Sequence, residues 1–183
     1  MPFVGDVFGL NNVYDRQVLN IDNRNFASWP ESATYGYFGG GYIVPALYSS
    51  AINRLDFSNE TVSTPTSKLS IGRYALAAVS SSSYGYFGGG FRSPPNLYFS
   101  TIDRLDFSNE TVSTPTPKLS SSKRQLAATS SSSYGYFGGG TLPPAPTNLN
   151  TINRLDFSNE TVSTLTPKLS SSKTSVAAVS NSN

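Results

Sequence analysis

The chain has 183 residues, 13 of them basic and 11 acidic, and it contains neither cysteine nor histidine. Without these two residue types there can be no disulfide framework, zinc or haem site, Ser-His-Asp triad or Cys-His nucleophile. A net charge of +2 is too small for a phosphate-neutralising surface, so no nucleic-acid partner is expected. Serine is abundant, but 11 Tyr and 11 Phe at regular intervals indicate a packed β-rich fold.

The sequence predicts no signal peptide and no membrane span. The first residues carry Asp6 in place of a basic region, and Gly and Asn interrupt their apolar residues. No stretch approaches the roughly 18 apolar residues that cross a bilayer. We expect synthesis in the cytoplasm, with any extracellular destination reached by lysis or by assembly into a particle.

Residues 1–34 differ from the rest of the chain, because they lack its repeat and contain the only tryptophan, Trp29. They have neither the periodicity nor the apolar content for a core of their own. Two alternatives follow: an extended arm that docks on another protein, or a cap in which Phe26 and Trp29 pack on the first repeat.

From residue 35 onward the sequence repeats every 49 to 50 residues. The block YGYFGGG begins at Tyr35, Tyr84 and Tyr134, and the block RLDFSNETVST begins at Arg54, Arg104 and Arg154. A period of about 50 residues is typical of propellers and solenoids.

Each repeat predicts four short strands in one small antiparallel sheet. Strand A is the LAAVS-type segment (76–80, 126–130 and 176–180), strand B is YGYFGGG, strand C begins at Ile52, Ile102 and Ile152, and strand D begins at Glu60, Glu110 and Glu160. Between strands C and D we expect Asn59, Asn109 and Asn159 to adopt the left-handed conformation that a tight hairpin requires.

Several repeated residues are predicted to be structural. In strand C, Arg54 and Asp56 alternate with Leu55 and Phe57, and we expect them to form an ion pair or to bond the backbone in each repeat. Asp56 and its copies are too dispersed for a metal cluster, and no cofactor is expected. The strand-B glycines are expected to let a neighbouring backbone approach closely, namely Gly39, Gly40, Gly88, Gly89, Gly138 and Gly139.

The order LAAVSSSSYGYFGGG, INRLDFSNETVST and PTPKLSSSK resembles the kelch repeat over residues 35–180. The resemblance rests on the glycines after strand B, the Asp of strand C and the Pro-containing passage to the next unit; Leu55 and Val62 stand where kelch units carry Tyr and Trp. It implies an all-β, kelch-like β-propeller with three four-stranded blades in residues 35–183. The FGGG and FSNETVST blocks also resemble repeats in predicted virion and tail proteins of marine tailed phages.

The strands follow the order BCD, ABCD, ABCD, A, which leaves the last strand A (176–180) free to complete the first blade. Such an exchange hides an exposed edge. Three blades are too few to close a ring, because propellers have about four to eight. We therefore predict a head-to-tail dimer with six blades, with other multiples or a mixed ring with another protein as alternatives.

The connections between strands B and C differ among the repeats, reading YIVPALYSSA, FRSPPNLYFST and TLPPAPTNLNT. Since they leave a propeller on one face, we expect their side chains to form an aromatic recognition surface, or alternatively to fold over their own blade rims. The candidate binding residues are Tyr42, Tyr48, Phe91, Arg92, Tyr98 and Phe99. The Ser, Thr and Lys side chains of STPTPKLSSSK are expected to be solvated.

Two functions are compatible with these features. The first is a non-enzymatic structural or assembly protein, which the phage resemblance implies is a virion appendage or tail component located in a virion or extracellular particle. Its partners are other copies of itself and, through residues 1–34, another virion or surface protein. The second is a glycan-binding adhesin that uses the aromatic loops. Glycosidase chemistry needs two suitably spaced acids, and the repeated placement of the acids argues against it.

Overall fold

A computed structural model of the chain describes residues 33–45, 47–143 and 147–181. These residues form strands, turns and bends without any helix, so the predicted all-β class is confirmed. Consequently no helix in the described ranges is long and apolar enough to cross a membrane. The predictions of an arm or a cap, including the roles of Phe26 and Trp29, concern residues outside the described ranges.

The described residues contain 17 strands, arranged in three larger sheets and three two-stranded hairpins. In chain order they are β1 (Tyr35–Gly39), β2 (Tyr42–Ile43), β3 (Leu47–Tyr48), β4 (Ile52–Asp56), β5 (Thr61–Ser63), β6 (Ala77–Ser80), β7 (Tyr84–Gly88), β8 (Phe91–Arg92), β9 (Leu97–Tyr98), β10 (Ile102–Asp106), β11 (Val112–Ser113), β12 (Ala127–Ser130), β13 (Tyr134–Gly138), β14 (Thr141–Leu142), β15 (Thr147–Asn148), β16 (Ile152–Asp156) and β17 (Val162–Thr164).

The three larger sheets repeat one antiparallel topology. Sheet 2 has the order β6-β7-β10-β11 and sheet 3 the order β12-β13-β16-β17, which places strands A to D side by side. Among the described residues, sheet 1 contains only β1-β4-β5, the counterparts of strands B, C and D. Residues 176–180, the last copy of strand A, form no strand. Within the described ranges, sheet 1 therefore ends at β1, where sheets 2 and 3 carry a further strand.

The turn between strands C and D differs from the prediction. The left-handed residue is not the Asn but the Glu after it, with φ of 56° at Glu60, 55° at Glu110 and 56° at Glu160. The side chain of Asn59 instead accepts a hydrogen bond from the backbone N–H of Thr61 at 3.0 Å. Because the Asn side chain closes the turn over two residues, the chain reversal falls on the residue between them.

The acidic residue of strand C is also part of this turn. The Asp56 carboxylate accepts hydrogen bonds from the Oγ–H and backbone N–H of Ser58, at 2.6 and 2.8 Å, and these bonds lower its pKa. The alternative of a backbone-bonding Asp is therefore correct and that of an ion pair within the repeat is wrong. Arg54 pairs instead with Glu110, 2.9 Å away in the next repeat.

The apolar core lies between consecutive sheets. Ile52 and Leu69 of the first repeat are buried against Phe87 and Leu105 of the second. The same positions recur one repeat later, where Ile102, Leu119 and Leu126 are buried with Phe137 and Leu155. Each sheet therefore buries apolar surface mainly by packing on its neighbour in sequence, which is how repeat proteins build a continuous core.

Candidate functional site

The variable connections form three hairpins, β2–β3, β8–β9 and β14–β15. Tyr42 lies opposite Tyr48 in the first, and Phe91 lies opposite Tyr98 in the second. Their ring centroids are 5.4 and 4.9 Å apart, respectively. Four of the six predicted binding residues are thus in two cross-strand aromatic pairs.

Tyr74, which the sequence analysis missed, joins the two pairs. Its ring centroid lies 5.7 Å from Tyr42, 5.8 Å from Tyr48 and 5.7 Å from Phe91. Its backbone N–H and carbonyl bond the carbonyl and N–H of Phe91 at 3.0 and 2.9 Å. We call these five residues the aromatic row. Tyr74 occupies the position of Arg124 and Thr174 in the later repeats, and this variability is the signal that identifies it.

Arg124 provides a cation beside the aromatic row. Its guanidinium carbon lies 4.3 Å from the ring centroid of Phe91 and 5.3 Å from that of Tyr98. One guanidinium N–H also donates to the Tyr74 hydroxyl at 3.4 Å. Cation–π contacts of this kind orient the arginine over the rings and bring positive charge to this part of the surface.

The remaining candidate residues lie outside the row. Arg92 is exposed, and because side chains alternate along a strand it lies on the face of β8 opposite Phe91. Phe99 is half-buried, with the Arg73 guanidinium carbon 5.7 Å from its ring centroid. Phe91 is only 7% exposed and Tyr42 is 46% exposed. Tyr42 therefore offers the most accessible ring, whereas Phe91 acts as packing.

The linkers after strand D carry a second polar feature, which is buried. The side chains of Arg73 and Asp103 are fully buried, with 3.1 Å between Nη2 and Oδ2. Arg73 also donates to the carbonyl of Phe87 at 3.1 Å, and Asp103 accepts hydrogen bonds at 2.9 Å from the Ser70 N–H and hydroxyl. Burial lowers the pKa of Arg73. A buried pair needs these extra bonds, because desolvation opposes its formation.

The next linker places Lys123 at the corresponding position, so the prediction that this lysine is solvated is wrong. Its Nζ donates to Oδ1 of Asn153 at 2.8 Å, and both residues are fully buried. Burial lowers the pKa of Lys123 to about 8. Asn153 takes the place of Asp103, so this interface contains a lysine–amide pair in place of an ion pair.

A third set of contacts repeats between the sheets. The Arg54 guanidinium and the Tyr37 hydroxyl both donate to Glu110 Oε1, at 2.9 and 3.1 Å. The ring of Tyr37 stacks on Phe107 with centroids 5.3 Å apart. Burial and the bond to Glu110 raise the pKa of Tyr37 to about 12. Arg104, Tyr86, Glu160 and Phe157 repeat the arrangement one unit later.

The glycines of strand B lie where side chains would overlap their neighbours. A Cβ atom would lie 2.6 Å from the Arg73 carbonyl oxygen at Gly40, and 2.8 Å from those of Lys123 and Lys173 at Gly89 and Gly139. At Gly39 and Gly88 it would lie 2.8 Å from the rings of Phe87 and Phe137, respectively. At Gly138 the nearest atom is 3.9 Å away. Gly138 is thus the copy that no ring covers.

The acidic side chains of the described residues serve mainly in the turns and in the contacts between sheets. Asp56, Asp106 and Asp156 bond the turns, while Asp103, Glu110 and Glu160 pair with arginines. Within the described ranges no group of three or more Asp and Glu side chains is placed to hold a metal ion. No protein-family model matches the chain, and no curated protein matches its sequence.

Proposed function

We propose that the chain is a non-enzymatic structural protein that assembles head to tail, its three sheets serving as blades of a divergent kelch-like propeller. The observation that carries the proposal is that, among the described residues, sheet 1 lacks strand A, while an unpaired copy of strand A follows sheet 3. Residues 177–180 have the sequence AAVS, identical to β6, yet no described strand pairs with them. Val79 in β6 is 6% exposed, whereas Val179 is 91% exposed.

Exchange of residues 177–180 between copies would pair both the open edge of sheet 1 and the unpaired segment after sheet 3. The exposed edge of β1 is a template for another strand, and edges of this kind are normally covered or paired. The three copies of strand A line one groove, formed by Ala78–Ser80, Ala128–Ser130 and Ala178–Ser180 together with part of β1. The shared groove supports a radial arrangement of the sheets about one axis. In the proposal, two chains with three blades each complete a six-bladed ring.

A ring of this kind is a rigid platform that presents several copies of one surface. Together with the resemblance of its repeats to those of phage virion and tail proteins, this favours an appendage or tail component of a virion or extracellular particle. In this proposal residues 1–34 attach the ring to another virion or surface protein. The repeated acids have structural partners, which supports a role without catalysis.

Deletion of residues 174–183 tests the exchange. The full-length chain is expected to have the mass of a dimer in sedimentation, and the deletion is expected to give monomers or aggregates with exposed edges. Deleting only residues 181–183, which keeps the AAVS segment, is the matched control and retains the dimer. If the full-length chain is a monomer and neither deletion changes its state of assembly, both the strand exchange and the six-bladed ring are wrong.

A second candidate function is glycan recognition through the aromatic row. It is favoured by the exposed Tyr42 ring next to Tyr48 and Tyr74, because aromatic rings suit the apolar faces of sugars. On a glycan array, Tyr42→Ser and the double variant Tyr98→Ser, Phe99→Ser should weaken binding roughly tenfold. Leu97→Ser changes an exposed non-aromatic residue of the same hairpin and should bind normally. Equal binding by all variants would exclude the row as the site.

A further inference from the structure

We infer that the molecule that completes sheet 1 is a second copy of this chain, held by two complementary side-chain surfaces left open at the ends of the repeat. The inference rests on the proposed head-to-tail assembly and specifies its partner and contacts. The leading surface, on the first repeat, comprises Phe38, Asn53, Leu55, Phe57, Glu60 and Val62. The trailing surface, on the third repeat, comprises Tyr136, Ile152, Arg154, Leu169, Lys173 and Val176.

The apolar halves of these surfaces are defined by the two interfaces that the chain already contains. Between sheets 1 and 2, the earlier repeat contributes Tyr37, Ile52, Leu69 and Leu76, and the later one contributes Phe87, Leu105, Phe107 and Val112. Between sheets 2 and 3 the corresponding residues recur. Every repeat therefore carries one set of apolar residues that packs on the repeat after it and a second set that packs on the repeat before it.

On the first repeat, no described residue covers the apolar set that would contact a preceding repeat. Phe38 is 64% exposed, while its counterparts Phe87 and Phe137 are 4% and 0% exposed. Phe57 and Val62 are likewise exposed, at 50% and 65%, although the corresponding residues of the later repeats pack against the core. The leading surface is thus an exposed apolar patch, whereas the corresponding residues of the second and third repeats are buried between sheets of the same chain.

On the third repeat, the set for a following neighbour lines an open apolar groove. Tyr136, Gly138, Ile152, Leu169 and Val176 contribute to its wall. In the first two repeats a phenylalanine ring from the next sheet covers the corresponding glycine, whereas at Gly138 that place is open. The groove therefore has the chemistry and the position to receive Phe38 of a second copy.

The polar residues at the two ends match in the same way. Arg54 pairs with Glu110 and Arg104 with Glu160, which leaves Arg154 and Glu60 without an ion pair among the described residues. If a second copy followed the third repeat, its Glu60 would take the place beside Arg154 that Glu110 takes beside Arg54. The two unpaired charges therefore have opposite sign and attract each other.

The buried pair of the linkers extends the match. Arg73 bonds Asp103 and Lys123 bonds Asn153, but Lys173 and Asn53, the next members of the series, are both exposed. A Lys173–Asn53 contact between copies would repeat the lysine–amide pair of the second interface. Side-chain matches at both apolar and polar positions favour a second copy over a different protein, which would have to reproduce every one of them.

The register of the exchanged strand follows from the same repeat. Because Ala77 lies opposite Gly88 and Val79 opposite Tyr86, Ala177 is expected opposite Gly39, and Val179 opposite Tyr37, of the second copy. In that register Val179 loses its exposure as Val79 does, and the strand and side-chain contacts form together.

Reversal of charge on the full-length chain tests the inference. One variant carries Arg154→Glu and Lys173→Glu on the trailing surface, and the other carries Glu60→Arg and Asn53→Lys on the leading surface. In each variant alone, positions 154 and 60 of the two copies carry charges of the same sign, so each variant is expected to sediment as a monomer of 19.6 kDa. Mixed in equal amounts they are expected to regain the wild-type mass, because every head-to-tail contact is then attractive.

Two further variants separate this result from misfolding and from net charge. Phe38→Glu places a charge on the apolar patch, and since Phe38 is exposed in the single chain the variant should fold as a monomer. Arg92→Glu with Lys118→Glu alters net charge as much as the trailing variant, at exposed positions on neither surface, and should keep the wild-type mass.

The outcomes distinguish the inference from the proposed function. A monomeric wild-type chain overturns the head-to-tail assembly itself. A wild-type oligomer that survives both charge reversals and Phe38→Glu leaves strand exchange standing but shows that these surfaces are not the interface. Single variants that dissociate but fail to complement each other on mixing would overturn the pairing of leading with trailing surface.

Discussion

Gly139 illustrates how a single residue is constrained by its neighbours in this fold. It has a φ of +69°, and a Cβ atom there would lie 2.8 Å from the Lys173 carbonyl oxygen. Gly139→Val therefore adds backbone strain and steric overlap, and should lower the free energy of unfolding by about 1 to 3 kcal/mol. Urea denaturation measures the loss. Thr166→Val, an exposed isosteric change, is the control, and equal stability of the two variants would contradict the close-packing account.

Lys123 should make stability depend on pH. Burial lowers its pKa from 10.5 to about 8 in the folded chain. Between pH 8 and 10.5, Lys123 is protonated more in the unfolded chain than in the folded chain, so the free energy of unfolding rises with pH. Below about pH 8 Lys123 is protonated in both states, and the folded chain bears the full cost of burying its charge. Between about pH 7.5 and 9.5, the free energy of unfolding of wild type should therefore rise by roughly 1 to 2 kcal/mol relative to that of Lys123→Met.

Denaturation with urea at each pH gives this difference, and Lys68→Met, at an exposed position, should show no such trend. The comparison ends below pH 10, because the raised pKa of Tyr37 makes stability fall with pH above that value. A difference between wild type and Lys123→Met that stays constant with pH would contradict the buried charge.

The buried roles of Arg73 and Lys123 could not be predicted from the linkers alone. Both residues lie in serine-containing, polar segments of the kind that is usually solvated. Their burial depends on Asp103 and Asn153, each 30 residues further along the chain. A sequence reading shows that these positions repeat, but the pairing of one linker with the strand of the next sheet is a tertiary contact.

At the scale of elements, the alternation of apolar and polar residues and the repeat period placed strands B and C and the first two copies of strand A to within two residues. The predicted start of strand D at the repeated Glu was wrong, because that Glu is a turn residue and the strand begins one or two residues later. The turns were less predictable: Asn59 was expected to take the left-handed conformation, but Glu60 takes it. Both residues fit a hairpin by composition, and the choice depends on the hydrogen bond between the Asn59 side chain and Thr61. Such a bond selects between conformations of similar local energy.

Tyr74 should hold the first two hairpins together. Its ring contacts Tyr42, Tyr48 and Phe91, so Tyr74→Ala removes a contact shared by both elements. We expect a loss of about 1 to 3 kcal/mol in stability. Hydrogen exchange at the Phe91 amide, which bonds the Tyr74 carbonyl at 2.9 Å, should also become faster. Ile43→Ala, at an exposed site in the first hairpin, should leave that amide unchanged; protection of Phe91 in both variants would contradict the bridging role.

At the scale of the whole molecule, head-to-tail assembly should couple stability to concentration. Dimer formation favours the folded state by mass action, so the unfolding temperature of the full-length chain should rise with protein concentration. Phe38→Glu, which removes apolar contact between copies but leaves each chain intact, should show a constant unfolding temperature. Differential scanning calorimetry over a hundredfold concentration range makes the comparison. A wild-type unfolding temperature independent of concentration would argue against the assembly.

The sequence by itself determined the all-β class, the repeat of about 50 residues and the order of strands, because these depend on local alternation, glycine and turn residues. It also singled out the four aromatic residues of the first two variable hairpins, but not their pairing across the strands. Only the tertiary structure decided that Tyr74 joins those pairs, that Arg54 bonds Glu110 and not Asp56, and that Phe38 is exposed while Phe87 is buried. Identical local sequences differ in exposure and in side-chain partners, because burial and pairing depend on which repeat lies next to each one in space.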